Sequence, residues 1–243
     1  MKPPPGLFIT GTDTGVGKTY VAAVIARSLL SAGCRLGVYK PVLSGYGLDL
    51  STGLSPEPGD QPDDDVVLWK AAGSPGEILR VCPQRFRAPI APHLAARSEG
   101  REINSDQLRS GVEYWRERSD FVLVEGAGGL MSPVSDDQYI ADVALELGYP
   151  LVVVAANKLG AINQTLQTLM TAAAFRKGLA VAAVVLNDRQ SSDSDADQSR
   201  LTNFHELQLR SKMPVFAMAY QSEQFEPRMN WLDIIERARV PDF

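Results

Sequence analysis

The sequence is poor in the residues that build disulfide frameworks and metal centres, with two cysteines and two histidines among 243 residues. Cys34 and Cys82 stand alone, form no metal-ligand spacing, and favour a reducing, cytoplasmic compartment. The longest apolar runs, such as 150–156 and 179–186, fall far short of the ~20 residues that a membrane helix needs, so we expect no membrane span. Lysine and arginine number 24 against 29 acidic residues, and the net charge of −5 argues against nucleic-acid or anionic-membrane partners.

Apolar segments of strand length alternate with longer segments of helical periodicity. We predict strands at residues 7–10, 36–40, 121–125, 151–155, 181–187 and 215–217. We predict helices at residues 17–32, 63–72, 105–118, 140–147, 162–177 and 203–210, and loops at 45–62 and 188–198. Strands that are apolar on both faces and separated by helices indicate an α/β fold, with a mostly parallel sheet flanked by helices. We expect one domain over residues 1–243, with its ligands at the carboxyl ends of the strands.

The strongest local signal is Gly-Thr-Asp-Thr-Gly-Val-Gly-Lys-Thr at residues 11–19, directly after the first strand and at the start of the first helix. In that context backbone N–H groups and the helix N-terminus face phosphate oxygens, which predicts a P-loop. Five residues separate Gly11 from Gly17, one more than in the generic pattern, so the loop is a variant. Lys18 would reach the β- and γ-phosphates of ATP, and the Thr19 hydroxyl would bind Mg²⁺. The predicted nucleotide-binding residues of this loop are Thr12, Asp13, Thr14, Gly15, Val16, Gly17, Lys18 and Thr19.

Two charged side chains stand at the ends of apolar strands and so at the same edge of the predicted sheet. Glu125 ends the strand at 121–125 and is followed by a glycine-rich run. A carboxylate in that position is costly to bury without a partner or a metal, so we assign it a functional role. Lys40 ends the second strand and points into the same crevice as Lys18. Two lysines that converge there fit a polyanionic transition state.

Three consecutive aspartates, Asp63, Asp64 and Asp65, stand at the start of a predicted helix. Acidic residues in the first turn stabilise the helix dipole, and that role suffices for two of the three. The remaining one is available as a carboxylate for a magnesium nucleotide site, and the residues alone leave open which one it is.

Six segments, in this order along the chain, resemble the dethiobiotin synthetase family of P-loop proteins. They are 11–19, 39–45 (Tyr-Lys-Pro-Val-Leu-Ser-Gly), 89–93 (Pro-Ile-Ala-Pro-His), 124–129 (Val-Glu-Gly-Ala-Gly-Gly) with 133–136 (Pro-Val-Ser-Asp), 158–163 (Lys-Leu-Gly-Ala-Ile-Asn) and 187–188 (Asn-Asp). Any one of them indicates little beyond a P-loop protein, whereas six in order are specific. The resemblance covers nearly the whole chain up to about Asn187 and implies the P-loop nucleoside triphosphate hydrolase fold.

The resemblance also implies a reaction, that of an ATP- and Mg²⁺-dependent ligase of biotin biosynthesis. In this family one amine of 7,8-diaminopelargonate captures CO₂ as a carbamate, ATP phosphorylates the carbamate, and the second amine displaces phosphate to close the ring of dethiobiotin. By matching position, Lys18 and Lys40 are the implied catalytic pair. The implied metal ligands or near-ligands are Thr19, Asp65 and Glu125, with Asp64 as the next candidate after Asp65.

The same resemblance implies how the substrates are held. The implied substrate-binding residues are Thr14, Lys40, Ser44, Gly126, Ala127, Gly128, Gly129, Leu159 and Asn163. Leu159 and Asn163 are implied to reach the substrate's carboxylate in the neighbouring subunit, which makes the protein a homodimer. Asn187 is implied to read the adenine edge. The segment 216–220, Phe-Ala-Met-Ala-Tyr, lacks the Gly-x-Ile-Pro that the family usually shows near the adenine, which predicts a looser preference for ATP.

Two other classes of P-loop protein share part of this pattern. Amidoligases that act on cobyrinic acid carry an additional glutamine-hydrolysing domain, for which no sequence remains after residue 243. Nucleotide-switch ATPases carry an extra lysine five positions before the P-loop lysine, and Asp13 occupies that position here. The synthetase is therefore the favoured interpretation, with these two classes as the alternatives.

Overall fold

The computed structural model describes residues 3–47, 62–191 and 197–242. Its main sheet has six strands in the order β2-β5-β1-β6-β7-β8, and every neighbouring pair is parallel. These strands are β1 (Gly6–Gly11), β2 (Leu36–Tyr39), β5 (Phe121–Gly129), β6 (Leu151–Ala156), β7 (Val181–Asn187) and β8 (Val215–Met218). The predicted strands and the predicted parallel sheet are thus confirmed.

Apolar composition explains why the central strands lie where they do. Every residue of β6 and β7 is buried, as expected of strands that are covered by helices on both faces. The helices that cover the sheet or pack at its edges are α1 (Lys18–Ser31), α2 (Asp64–Ala71), α3 (Ile78–Val81), α4 (Pro92–Ser98), α5 (Ser105–Ser110), α6 (Glu113–Arg116), α7 (Ile140–Leu147), α8 (Ala161–Ala174), α9 (Asn203–Ser211) and α10 (Trp231–Glu236). A short 3₁₀ helix covers Gln198–Leu201.

The prediction of one continuous helix at 105–118 is wrong, because the structure divides this segment into α5 and α6. The Tyr39 hydroxyl from β2 lies 2.8 Å from the carbonyl oxygen of Gln107 and 3.1 Å from that of Leu108. A Cβ atom at Gly111 would lie 2.4 Å from the same hydroxyl oxygen, so only glycine allows this approach. The Leu108 carbonyl thus accepts from Tyr39, and the Val112 N–H donates instead to the Arg109 carbonyl at 3.4 Å, which interrupts the regular helical hydrogen bonding.

A second, two-stranded parallel sheet lies beside the carboxyl end of β2 and was not predicted. It pairs β3 (Leu43–Ser44) with β4 (Arg85–Phe86). The Lys40 N–H donates to the carbonyl of Val81 at 2.7 Å, so the chain is held from the end of β2 onward. This small sheet brings residues before and after the predicted loop 45–62 together, while most of that loop, and residues 192–196 of the loop 188–198, lie outside the described residues.

The strand order places the chemistry-bearing residues next to one another. β5 lies between β2 and β1, and its register pairs Tyr39 with Val124 and Ile9 with Glu125. Lys40 directly follows Tyr39, and the P-loop directly follows β1. β5 continues to Gly129, past the predicted end at Glu125. Lys40 after β2, Glu125 within β5 and the P-loop after β1 therefore lie beside one another at one crevice.

Both cysteines carry free thiols. Cys34 is half-buried and follows the end of α1, whereas Cys82 is buried just after α3. Within the described residues, no helix has the length and apolar character needed to cross a membrane.

Candidate active site

The P-loop joins β1 to α1 through two glycines with left-handed backbone conformations. Gly15 has φ +72° and Gly17 has φ +94°. A Cβ atom at Gly17 would lie 2.2 Å from the side-chain nitrogen of Asn187, so no larger residue fits. The loop is further fixed by its own polar groups, since the Thr14 N–H donates to Asp13 at 2.7 Å and the Lys18 ammonium donates to the Asp13 carbonyl at 3.3 Å.

Residues from the end of β7 hold the P-loop from behind. The Nδ2 of buried Asn187 donates to the Val16 carbonyl at 3.0 Å, and the guanidinium of Arg189 donates to the Gly15 carbonyl. Two consecutive loop carbonyls are thereby fixed, which leaves the N–H groups of the loop to face a ligand. The structure engages the nitrogen of Asn187 with the loop, whereas sequence analysis placed this residue at the adenine. Arg189 was not predicted, and no motif in the sequence pointed to it.

Lys40 lies at the centre of a buried group of charges. Its ammonium lies 2.6 Å from Oε1 of Glu125 and 3.0 Å from Oδ2 of Asp64. The Lys40 side chain is 3% exposed and that of Glu125 is 0% exposed. The Thr19 hydroxyl donates to the same Glu125 oxygen at 2.8 Å. Buried charges are tolerated when they are paired in this way.

Burial and charge act in opposite directions on these groups. Burial lowers the pKa of Lys40, but the carboxylates of Glu125 and Asp64 outweigh burial and raise it above its ordinary value. Burial raises the pKa of Glu125, and Lys40 only partly offsets this effect. The pKa of Lys18 is lowered by burial and by the neighbouring charge of Lys40, against the attraction of Glu125. The charged form of Lys40 is consequently favoured, and it lies next to a second lysine whose pKa is lowered.

A cavity of about 800 Å³ opens above these charges. Predicted site residues that line it are Thr14, Gly15, Gly17, Lys18, Thr19, Lys40, Ser44, Glu125, Gly126, Ala127 and Gly128. Residues 89–92, which belong to one of the motifs, line it as well, and so do Asp64 and Arg189. Most of the residues that the sequence singled out are therefore brought to one place.

Several predicted site residues lie elsewhere. Gly129 pairs with Gly11 inside the sheet, and its N–H donates to the Ser132 hydroxyl at 2.9 Å. Leu159 and Asn163 lie at the start of α8, exposed and away from the cavity lining. Thr12, Asp13 and Val16 form the P-loop backbone without lining the cavity.

The structure gives Asp64 and Asp65, the two aspartates considered for the metal, different surroundings. Asp65 is fully buried, accepts the Val66 N–H at 3.1 Å and pairs with Nε of Arg85 at 3.1 Å. Asp64 is the aspartate that lines the cavity and contacts Lys40. Burial alone would raise the pKa of Asp64, but Lys40 lowers it below its ordinary value, so Asp64 is ionised.

The donor set around Thr19 fits a hard divalent cation. Oε2 of Glu125 is buried without a hydrogen-bond partner, and Asp64 and the Thr19 hydroxyl supply further oxygens beside it. Mg²⁺ prefers such oxygens and is usually held by one or two carboxylates together with substrate phosphates. In the described parts of the chain no group of three or more His, Cys, Asp or Glu side chains could hold a metal ion unaided. A magnesium ion carried by a nucleotide therefore fits these residues better than a metal bound by protein alone.

The chain matches a family described as "AAA domain" over residues 5–227. It is 38% identical over 225 residues to the ATP-dependent dethiobiotin synthetase BioD of Rhodopirellula baltica, covering 88% of this chain and 83% of that protein. The chain belongs to the ATP-dependent dethiobiotin synthetase family. Another dethiobiotin synthetase, from Anaeromyxobacter dehalogenans, is 38% identical over 210 residues and is matched over 84% of this chain and 88% of its own length.

Solved structures of more distant proteins share the fold of this dethiobiotin synthetase family member. The signal recognition particle receptor FtsY from Elizabethkingia anophelis has a TM-score of 0.53 and 18% identity over 97% of this chain. The chain spans 65% of the length of that receptor. A ParA family ATPase from Chlorobium tepidum has a TM-score of 0.50 and 18% identity, over 92% of this chain and 86% of its own. At these identities the likeness concerns the fold alone, and it confirms the predicted P-loop nucleoside triphosphate hydrolase fold.

Proposed function

We propose that this protein uses ATP and Mg²⁺ to convert 7,8-diaminopelargonate and CO₂ into dethiobiotin, with release of ADP and phosphate. The observation that carries the proposal is the position of Lys40, a buried cation between Glu125 and Asp64 in the same cavity as the P-loop lysine. Transfer of a phosphoryl group to an anionic acceptor must overcome charge repulsion, which a second buried lysine beside the P-loop lysine offsets. The names of the relatives in this family support the same reaction.

The phosphates of ATP lie on the P-loop in this proposal. The N–H groups of the loop and the N-terminus of α1 bind their oxygens, and Lys18 contacts the γ-phosphate. Asn187 and Arg189 keep the loop carbonyls turned away from the phosphates. Thr19, Asp64 and Glu125 hold Mg²⁺, which when bound offsets the negative charge on the phosphate oxygens. Asp64 thus takes the role that sequence analysis gave to Asp65.

The diamine and CO₂ occupy the opposite side of the same cavity. One amine adds to CO₂, loses a proton and becomes a carbamate, whose negative charge lies next to Lys40. The carbamate oxygen then attacks the γ-phosphorus of ATP, and ADP leaves. The second amine attacks the carbonyl carbon of the resulting mixed anhydride, phosphate leaves, and the five-membered ring closes. The hydroxyls of Thr14 and Ser44 and the backbone of 126–128 position the two amines in this proposal.

Lys40 contributes because it remains charged throughout the reaction. Its raised pKa means that the ammonium does not serve as a general acid or base at neutral pH. It serves instead as a fixed positive charge that favours both the carbamate and the transferred phosphoryl group.

We also propose that residues 1–243 form one domain and that the protein acts in the cytoplasm.

A homodimer completes the site in this proposal. Leu159 is 79% exposed and Asn163 is exposed beside it on the same end of α8, where both are available to a second subunit. We expect two variants, Lys40→Met and Asn163→Ala, to be defective alone and to regain activity when their subunits are mixed and allowed to exchange. Sedimentation of the wild-type protein as a monomer at all assay concentrations would contradict the dimer.

The reaction is tested by mass spectrometry of the purified protein with Mg²⁺, ATP, bicarbonate and 7,8-diaminopelargonate. We expect dethiobiotin and ADP to form in equal amounts, and ADP formation to depend on the diamine. ATP hydrolysis that ignores the diamine and yields no dethiobiotin, in a protein that binds ATP, would overturn the proposal.

A further inference from the structure

The three consecutive aspartates at the start of α2 have different surroundings. Asp64 lies in the cavity with its Oδ2 3.0 Å from the Lys40 ammonium. Asp63 and Asp65 both turn to Arg85, with Oδ2 of Asp63 2.6 Å from Nη2 and Oδ2 of Asp65 3.1 Å from Nε. One guanidinium therefore holds the two outer carboxylates, and the middle carboxylate is left for the cavity.

Arg85 is itself held in a fixed position. It belongs to β4 of the small sheet, and its side chain is 11% exposed. Its guanidinium carbon lies 4.5 Å from the centre of the Tyr46 ring. The Gly47 N–H donates to Oδ1 of Asp63 at 2.8 Å, so the segment after β3 is tied to the same group. A guanidinium presents donors in a rigid planar fork, which allows one arginine to fix two carboxylates at once.

The three aspartates have identical side chains, and each of them could pair with a buried cation near the start of α2. Asp65 is 0% exposed, and a buried carboxylate requires a cation nearby. Lys40 is a further buried cation close to α2, and it lies at the cavity. If Arg85 were absent, Asp63 or Asp65 would gain by turning to Lys40, and the first turn of α2 would no longer present Asp64 to the metal.

We propose that Arg85 is a positioning residue that makes Asp64 the metal-binding aspartate, by holding Asp63 and Asp65 away from Lys40. The inference rests on the proposed role of Asp64 toward Mg²⁺. Arg85 is not among the described residues that line the cavity. It acts through the carboxylates on each side of Asp64, in the way that outer residues orient the ligands of a metal site.

The experiment measures binding of Mn²⁺, used as a paramagnetic substitute for Mg²⁺, to the full-length protein in the presence of ADP. Loss of the electron paramagnetic resonance signal of free Mn²⁺ gives the affinity without any need for turnover. We expect Arg85→Met to weaken Mn²⁺ binding by about 10- to 100-fold, the range typical of residues that orient metal ligands. The matched control is Arg101→Gln, because Arg101 packs over the Phe86 ring of the same small sheet at 4.5 Å. Its guanidinium donates to the Arg85 carbonyl at 2.9 Å and pairs with Glu99, not with the three aspartates. Arg101→Gln should leave Mn²⁺ affinity unchanged.

A rescue variant separates this role from general support of the fold. In Arg85→Met combined with Asp63→Asn and Asp65→Asn, neither neighbour of Asp64 at the start of α2 carries a carboxylate that could replace Asp64 beside Lys40. The asparagine oxygens can still accept the N–H groups of Gly47 and Val66. We expect this triple variant to bind Mn²⁺ nearly as tightly as the wild-type protein. It also provides the test if Arg85→Met alone does not fold, because it lacks the uncompensated buried carboxylate.

Two results would overturn the inference. One is unchanged Mn²⁺ affinity in folded Arg85→Met, and the other is a folded triple variant that binds Mn²⁺ as weakly as Arg85→Met or Asp64→Asn. Asp64→Asn also separates this inference from the proposed function. If Asp64→Asn leaves Mn²⁺ affinity unchanged, the magnesium role of Asp64 falls and the inference falls with it. If Asp64→Asn weakens binding and Arg85→Met does not, the inference alone is wrong.

Discussion

The two ends of the main sheet hold their charges in opposite ways. At the amino end, Arg35 and Asp120 precede β2 and β5 and form a bidentate pair whose side chains are 75% and 47% exposed. At the carboxyl end of the same two strands, Lys40 and Glu125 form a pair whose side chains are 3% and 0% exposed. The same pair of neighbouring strands therefore carries an ion pair in water at one end and an ion pair out of water at the other.

This difference indicates which pair serves stability and which serves chemistry. An exposed pair gains little, because water screens the attraction, and it costs little to form. A buried pair loses the hydration of both ions, and apolar side chains in its place would often be as stable. The buried pair lies where a bound nucleotide and the proposed carbamate would interact with its charges. The exposed pair only links the two strands at their amino ends.

The largest effect is expected when the buried cation is removed. Lys40→Met should reduce the rate of dethiobiotin formation by at least about 10²- to 10³-fold, because the carbamate and the transferred phosphoryl group lose a preorganised positive charge. ATP binding should be mostly retained, since Lys18 and the P-loop remain. Product formation is measured by mass spectrometry and ATP binding by calorimetry.

The control for that variant lies at the other end of the same strand. Arg35→Gln removes a cation of the exposed pair and should leave the rate of dethiobiotin formation unchanged. Equal losses of ATP binding and of turnover in Lys40→Met would contradict the role proposed for this residue. Equal rate losses in the two variants would remove the distinction between the two ends of the sheet.

The next effect concerns the buried anion. Glu125→Gln keeps the shape of the side chain and an oxygen for the Thr19 hydroxyl, but it removes the charge that faces the metal. The Mg²⁺ concentration that gives half-maximal activity should rise by at least about tenfold. A titration of activity with Mg²⁺ at saturating ATP measures this shift. An unchanged titration curve would show that Glu125 has a structural role only.

A smaller effect is expected at the end of β7, where Asn187 is bonded to the P-loop. Loss of one hydrogen bond in Asn187→Ala should weaken nucleotide binding by about 2- to 10-fold. Because the bond holds the loop, ATP, GTP and inorganic triphosphate should be affected equally in calorimetric titrations. A loss confined to ATP would support the adenine contact that the sequence implied.

The smallest effect is expected at the exposed pair. Hydrogen bonds from Arg35 lower the pKa of Asp120 from 3.8 to about 2. Because the carboxylate is favoured in the folded state, the pair contributes stability above the ordinary pKa and loses it as pH falls from about 4 towards 2. Carbon NMR of the Asp120 carboxyl should show the lowered pKa, and Arg35→Gln should return it to near 3.8. A wild-type pKa near 3.8 would mean that the pair does not persist in solution.

The main sheet and the crevice could be predicted because their signals are local. Each strand of the main sheet is a short apolar run bounded by turn residues, and a parallel sheet brings the carboxyl ends of its strands to one edge. Lys40 and Glu125 each end such a run, so their meeting follows once the strands are recognised. The P-loop is recognisable because its glycines, lysine and threonine are contiguous.

The remaining features depend on contacts between distant parts of the chain. Asp64 and Asp65 have the same side chain and adjacent positions, but Asp64 pairs with Lys40 and Asp65 pairs with Arg85, each some twenty residues away. The division of the helix at 105–118 depends on the hydroxyl of Tyr39 from β2. No pattern within either segment indicates the distant residue that determines its structure. Neither the different surroundings of the aspartates nor the division of the helix could therefore be predicted from the sequence.

The unequal burial of the two cysteines gives this enzyme a ready attachment point for spectroscopy. Burial raises the pKa of the Cys82 thiol, which keeps it from forming the thiolate that maleimides attack. Cys34 is half-buried just beyond the last turn of α1 and is the thiol that reagents reach first. A dye at this position lies ~20 Å from the phosphate loop, since α1 has 14 residues and each adds about 1.5 Å of rise. The wild-type chain can therefore report the arrival of a fluorescent nucleotide by energy transfer, without any substitution.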